Sequence, residues 1–249
     1  MTPERYGSLF SRIDPSAPRK AGERISGEFS TSYIAHPLVA RKIYTQLPKS
    51  KIILFLRNPV DRAYSHYVMQ LRGAYESQSF ERVIEYEMEE FEAMREQFRY
   101  CFNLDACHDI ECIPDIPIKH HKFGSESYLF TSSDLKKYLY TSYLMRGIYY
   151  DAVERYFAVF PREQILIINS ERFYDNTVEV LDEICDFLAI DKIEWGTITD
   201  TSFGGGASNY YGSPHSYSPM HPDTYEKLTQ FYAPYNEKLF KMIGERFDW

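Results

Sequence analysis

The sequence has no apolar run long enough to cross a bilayer, and no excess of basic residues. Of its 249 residues, 28 are Lys or Arg and 36 are Asp or Glu, for a formal net charge of −8. That balance argues against a nucleic-acid surface, although a bound nucleotide needs only a few local cations. No G-x-x-x-x-G-K-S/T phrase occurs, which argues against a nucleotide kinase. The N-terminus lacks the basic-then-apolar pattern of a secretory signal, so the expected location is cytoplasmic, with no membrane partner. Cysteine is scarce: there are four, at positions 101, 107, 112 and 185. The first three lie near His108, His120 and His121, but their gaps of five and four residues miss the C-x₂-C knuckles of structural zinc. Reduced cysteines in an irregular insertion are expected, with a metal site or a disulfide as the alternatives.

What is abundant is aromatic. Phe, Trp and Tyr make up 16% of the chain, with 22 Tyr, so many core and cleft positions carry ring hydroxyls that need partners. The length suits one α/β domain with a sizeable core, or two small ones. No internal repeat and no separating linker is visible, so 1–249 reads as a single domain. Residues 23–30 read as a short strand and 36–47 as a helix entered at Pro37. A charged helix follows over 80–98, with Phe80, Val83, Ile84, Glu87, Phe91 and Met94 on one side; its acidic run reads as a solvated face. Residues 99–125 read as an irregular insertion that could select a substrate. Asp134 opens a further helix that Gly147 interrupts, and a second stretch runs 149–160. A buried strand over 164–169 leads to a helix over 177–188 with Val178, Leu181, Ile184, Cys185 and Leu188 on one stripe. Residues 196–219 form a long loop, and a helix over 223–243 closes the chain. Buried strands each followed by a crossover helix suit a doubly wound parallel sheet.

The most informative stretch runs from Lys51 to Tyr67. Ile52 to Leu56 is a continuous apolar run, as in a strand buried on both faces. Asn58 can cap the next helix, and Pro59 suits its first position. Arg57 therefore sits at the carboxyl end of a strand, where open α/β sheets bind ligands, with the helix start adding N–H donors. With the Ser65 hydroxyl on that helix, it makes a phosphate clamp. An arginine merely paired to a surface carboxylate is the alternative.

Leu56-Arg-Asn-Pro-Val-Asp-Arg-Ala-Tyr-Ser-His-Tyr67 resembles the 3′-phosphate-binding signature of sulfotransferases that use 3′-phosphoadenosine 5′-phosphosulfate (PAPS), especially the heparan-sulfate-type and related bacterial enzymes. Two later stretches, Arg146-Gly-Ile-Tyr-Tyr150 with 160–171, and 231–239 with Phe247-Asp-Trp249, are similar to further family blocks in order and spacing. The resemblance implies an α/β fold with a P-loop-NTPase-like parallel sheet flanked by helices. It assigns the 3′-phosphate to Arg57 and Ser65. It also implies a sulfuryl transfer from PAPS, without metal, to a hydroxyl or amine of a carbohydrate or small metabolite.

In-line transfer needs a group that takes the acceptor's proton. Glu28, in Gly27-Glu-Phe-Ser-Thr-Ser-Tyr33, is similar in position to the family's catalytic glutamate, with Phe29 standing where the family usually has lysine. An edge-strand carboxylate paired to Lys or Arg is the alternative. Tyr149 is a candidate nucleotide contact or an ordinary core ring. Gly204, Gly205 and Gly206 match a late cofactor loop without its basic residue; backbone N–H groups there could approach phosphate, or the loop is simply surface. The family's 5′-phosphosulfate loop has no clear counterpart in the 27 residues before Glu28, where Lys20-Ala-Gly22 is the nearest phrase. The resemblance thus implies a fold lacking its first strand-loop-helix unit. It leaves a second reading open: a catalytically inactive sulfotransferase-like nucleotide-binding or interaction module.

Overall fold

The structure, a computed structural model, describes residues 25–103, 116–117, 129–130, 142–195 and 219–249. Helix α1 spans Val39–Gln46, strand β1 Ile52–Leu56, helix α2 Pro59–Arg72 and helix α3 Phe80–Asn103. Short strands β2 (Ile116–Pro117) and β3 (Leu129–Phe130) pair antiparallel. A 3₁₀ turn at Met145–Gly147 leads into α4, Tyr149–Phe157. Strand β4 (Ile165–Asn169), the short helix α5 (Ser170–Asp175), α6 (Thr177–Leu188) and α7 (Pro222–Ile243) complete the order.

β1 and β4 pair parallel and in step, from Ile52 opposite Ile165 to Leu56 opposite Asn169. Both strands therefore end at the same level, and both turn into a helix through an asparagine. Asn58 Oδ1 accepts from the backbone N–H of Val60 and Asp61, and Asn169 Oδ1 from that of Arg172. These caps satisfy donors that a helix start otherwise leaves open.

One sheet face is packed. Leu54, Leu56, Ile165 and Ile167 meet Tyr149, Val153 and Tyr156 of α4 and Leu239 and Phe240 of α7. A second cluster joins α2, α3 and α7 through Val60, Ala63, Tyr67, Phe80, Ile84, Phe91, Leu228 and Tyr232. The expectation that β1 is buried on both faces fails at Phe55, which stays 43% exposed against Phe173. Ile168 on the same side is buried, so the cover on that face reaches β4 and not all of β1.

Other expectations shift for local reasons. Residues 25–30 form no strand. The helix expected at 36 starts at Val39, because His36 to Leu38 make a turn in which Leu38 N–H donates to His36 Nδ1. α3 runs past 98 to Asn103, since no glycine or proline intervenes. α4 stops at Phe157, ahead of Pro161, which disfavours helix in the residue before it. On α6 the buried positions are Val180 and Cys185, and Val178 is exposed. Residues 20–22, Cys107, Cys112, the candidate loop Gly204 to Gly206 and most of the two long loops lie outside the described residues.

Candidate functional site

At the carboxyl end of β1, Arg57 is half-buried, and Ser65 is half-buried on α2. Ser65 follows Asp61 and Arg62 by four and three positions, so the three share one helix face. It lies roughly 9 Å along the helix from Pro59. The helix start itself is already occupied: the Val60 and Asp61 N–H groups serve Asn58, and Asn58 N–H donates to Glu171 Oε1 at 2.9 Å. The first N–H groups of α2 are therefore already used within the protein, whereas the sequence led us to expect them open to a ligand.

Carboxylates balance the arginines. Asp61 lies between Arg57 and Glu171; burial pushes its carboxyl above the ordinary range, Arg57 opposes that and Glu171 adds to it. Glu171, the second residue after β4, also accepts from Trp249 Nε1 at 3.2 Å, which ties the C-terminal aromatic cluster to the strand-end turn. Tyr149 is buried beneath this turn, its ring 5.7 Å from that of Trp249. Burial raises the Tyr149 phenol, against Arg62 and a hydrogen bond with the Arg57 backbone, which lower it. Arg62 Nε is buried with no hydrogen-bond partner among the described residues. Among the described residues the turn thus holds one buried donor that no group answers, which fits an anionic ligand.

Behind the turn lies a braced segment, residues 142–147. Glu87 of α3 is 3% exposed and accepts from Tyr143 N–H at 3.0 Å, Leu144 N–H at 2.6 Å and Ser142 Oγ–H at 3.3 Å. The Tyr143 carbonyl accepts from the Arg62 guanidinium, and the Leu144 carbonyl from Tyr232 Oη–H at 3.0 Å. Sequence reading placed Glu87 on the apolar side of α3 but treated the acidic run as solvated and gave Glu87 no role. The available signal was its place on the apolar stripe, between Ile84 and Phe91.

Glu28 lies in the irregular stretch 25–30, exposed, next to Phe29, which is 85% exposed. The strand expected there does not form, and the carbonyls of the turn that follows are met by side chains instead of a neighbouring strand. Arg146 donates to Thr31 O, Tyr156 Oη–H to Tyr33 O, and Arg155 to the carbonyls of Ile34 and Ala35. Glu28 Oε1 accepts from the Tyr33 hydroxyl, and that bond pushes the Tyr33 phenol up to about 12. From 35 back to 31 the segment passes α4 from Arg155 toward Arg146, three residues before Tyr149. It therefore runs toward the end of the sheet that carries Arg57.

Among the described residues no group of three or more His, Cys, Asp or Glu is arranged to hold a metal ion. No described helix is long and apolar enough to cross a membrane.

A parallel strand pair backed by helices, with an arginine turn at its carboxyl end, defines the class as α/β. Comparison with known proteins gives the particular family. The sulfotransferase domain matches residues 35–203, and the chain belongs to the sulfotransferase family. It is 24% identical over 263 residues to the membrane-associated sulfotransferase kil1 of Dictyostelium discoideum, covering 91% of this chain and 54% of that protein. It is 22% identical over 252 residues to heparan sulfate glucosamine 3-O-sulfotransferase 6 of Mus musculus, covering 93% of this chain and 58% of the relative. The chain thus spans about half the length of the curated relatives it matches. A sulfotransferase from Alicyclobacillus acidocaldarius has a similar solved structure, with a TM-score of 0.61 and 27% identity over 98% of this chain and 72% of that one. The α/β fold with a parallel sheet agrees with that likeness.

Proposed function

We propose that the chain transfers a sulfuryl group from PAPS to a hydroxyl or amine of a carbohydrate or small metabolite. The observation that carries this reading is the β1–α2 turn, which puts Arg57 at the strand end and Ser65 on the face of α2 that also holds Arg62. Arg57 and Ser65 hold the cofactor's 3′-phosphate, and Arg62 Nε, buried with no partner among the described residues, supports an anion nearby. Arg57 supplies a fork suited to phosphate oxygens, and Ser65 a hydroxyl donor. When bound, PAPS supplies the sulfuryl group and a phosphate leaving group. Glu28 takes the acceptor's proton; its carboxylate already accepts one hydrogen bond, from Tyr33, and keeps further lone pairs for the acceptor. Relatives named for heparan sulfate and other carbohydrates support a glycan-class acceptor.

Calorimetry with 3′-phosphoadenosine 5′-phosphate tests the nucleotide half. Arg57→Ala should weaken binding by about 2–4 kcal/mol, the scale for losing a charge-assisted bidentate contact. Glu28→Gln should leave binding nearly intact and cut turnover on the order of 10²–10⁴-fold. A wild-type chain that does not bind the nucleotide refutes the reading. Binding that depends on Arg57, with no sulfate transfer to any of a panel of glycan and small-molecule acceptors, would instead mark a nucleotide-binding module.

A further inference from the structure

The segment that carries Glu28 has no secondary structure of its own to fix it. Its backbone is fixed from outside by Arg146, Tyr156 and Arg155, the last of these 7% exposed in the final turn of α4. Arg155 reaches two consecutive carbonyls, Ile34 O at 3.3 Å and Ala35 O at 3.4 Å. One turn earlier on α4 lies Asp151, itself buried and gripped from α3 by Arg95, with Nε to Oδ2 at 2.7 Å and Nη2 to Oδ1 at 3.0 Å. The Arg95 guanidinium also lies 4.9 Å from the centre of the Tyr235 ring. The field of Asp151 reaches Arg155 across that turn, and a buried charge persists only if its surroundings answer it. Here the carbonyl dipoles of residues 34 and 35 give that answer. Desolvation lowers the Arg155 pKa and the field of Asp151 raises it, which agrees with a guanidinium held by its neighbours rather than by water.

We propose that Arg155, braced by the Arg95–Asp151 pair, is a positioning residue that holds the Glu28 segment at the working distance from the nucleotide side. The inference rests on the reading of Glu28 as the base. α4 is suited to the task because its first residue, Tyr149, hydrogen-bonds with the Arg57 backbone, while Arg155 and Tyr156 hold residues 33–35. One rigid helix therefore sets the spacing between the two halves of the site. Arg155 itself touches neither substrate nor reacting atoms.

The test uses the full chain carrying Arg155→Met, Arg155→Lys, Glu28→Gln and the double variant Arg155→Met/Glu28→Gln. Arg155→Met should lower kcat on the order of 10- to 100-fold, the scale for a misplaced catalytic group. It should leave the affinity for 3′-phosphoadenosine 5′-phosphate within about twofold, because no nucleotide contact is removed. Arg155→Lys, which keeps a cation and a donor, should recover part of the loss. In the Glu28→Gln background, Arg155→Met should cost nothing further, since both changes disable the same step. An equal loss with and without Glu28 overturns the proposal, whereas wild-type turnover in Glu28→Gln alone overturns the assignment of the base instead. Amide hydrogen exchange needs no turnover: the amides of 28–36 should exchange faster in Arg155→Met while those of β1 do not. Unchanged exchange in 28–36 also overturns the proposal.

Discussion

Glu87 is the sharpest place to test the architecture, because it is a carboxylate buried for the sake of backbone it does not belong to. Both of its oxygens are used: Oε1 accepts from Tyr143 N–H, and Oε2 from Leu144 N–H and Ser142 Oγ–H. Removing the side chain in Glu87→Ala also removes the cost of burying a charge, so the sign needs an argument. The decisive point is what stays behind: two backbone donors and a hydroxyl in a dry site, each unsatisfied donor costing about 1–3 kcal/mol. With a side-chain cavity added, a loss of about 3–5 kcal/mol is expected, a large share of the ~5–15 kcal/mol that holds a domain together. Glu87→Gln is not conservative here, since its NH₂ would face one of the two N–H groups. It should still cost about 1–3 kcal/mol, the price of one lost acceptor. Urea unfolding with linear extrapolation gives both values, and the alanine variant should shift the midpoint by about 1 M or more. Nucleotide affinity should fall in parallel, because the peptide group whose Leu144 N–H is released by the change presents its other end, the Tyr143 carbonyl, to Arg62. An alanine variant within ~1 kcal/mol of wild type, or a glutamine variant indistinguishable from it, would refute the reasoning.

Two other outcomes follow from the same region. A Cβ at Gly147 would stand 2.7 Å from Tyr232 Oη and 2.8 Å from its ring carbons, so Gly147→Ala should destabilise by about 1–3 kcal/mol in thermal or urea unfolding, and pairing it with Tyr232→Phe should relieve only the contact with the hydroxyl. Alkaline pH should unfold the chain through its phenols. Tyr33 and Tyr156 are held up to about 12 against an ordinary 10.0, and burial raises Tyr143, Tyr149 and Tyr232 as well. Between those values the unfolded chain has released protons that the folded one keeps, so this stabilisation is whole below pH 10 and fades as pH rises through about 12. Tyrosinate absorbance recorded beside circular dichroism checks it, and free titration of every phenol near 10 with the fold intact would contradict it.

Much of this was legible in the residues, and the parts that were not share a cause. β1 and α6 lie where the apolar run Ile52 to Leu56 and the stretch 177–188 put them, because burial and periodicity are local signals. The Arg57–Asn58–Pro59 turn was legible for the same reason: strand end, cap and first helical residue are adjacent in sequence. What stayed hidden depends on pairs far apart. Glu87 falls on the apolar side of an acid-rich helix, but what it does there shows only when residues 142–144 are laid over it, more than fifty positions later. Residues 23–30 read as a strand because nothing local shows that Arg146, Arg155 and Tyr156 will meet the carbonyls of 31–35. Phe55 looks like core because a strand's sequence reports the character of its residues and not how far the cover extends on each face.

Many of the long-range bonds converge on one stretch, residues 142–156, and that convergence orders the effects of damage. On one side the stretch receives Arg62 from the helix that carries Ser65, and through Tyr149 it meets the backbone of Arg57. On the other, Arg146, Arg155 and Tyr156 reach out from it to the backbone behind Glu28. A change at Arg57 therefore falls on nucleotide binding, and a change at Glu28 on turnover. A change within the shared stretch need not choose. Gly147 sits between the two sets of bonds, packed on Tyr232, so Gly147→Ala should weaken nucleotide binding and turnover together, beyond what its loss of stability explains at temperatures where it remains folded. If Gly147→Ala lowered stability alone and left both functions at wild-type values, the two halves of the site would be set independently, and the stretch would be no more than a shared wall.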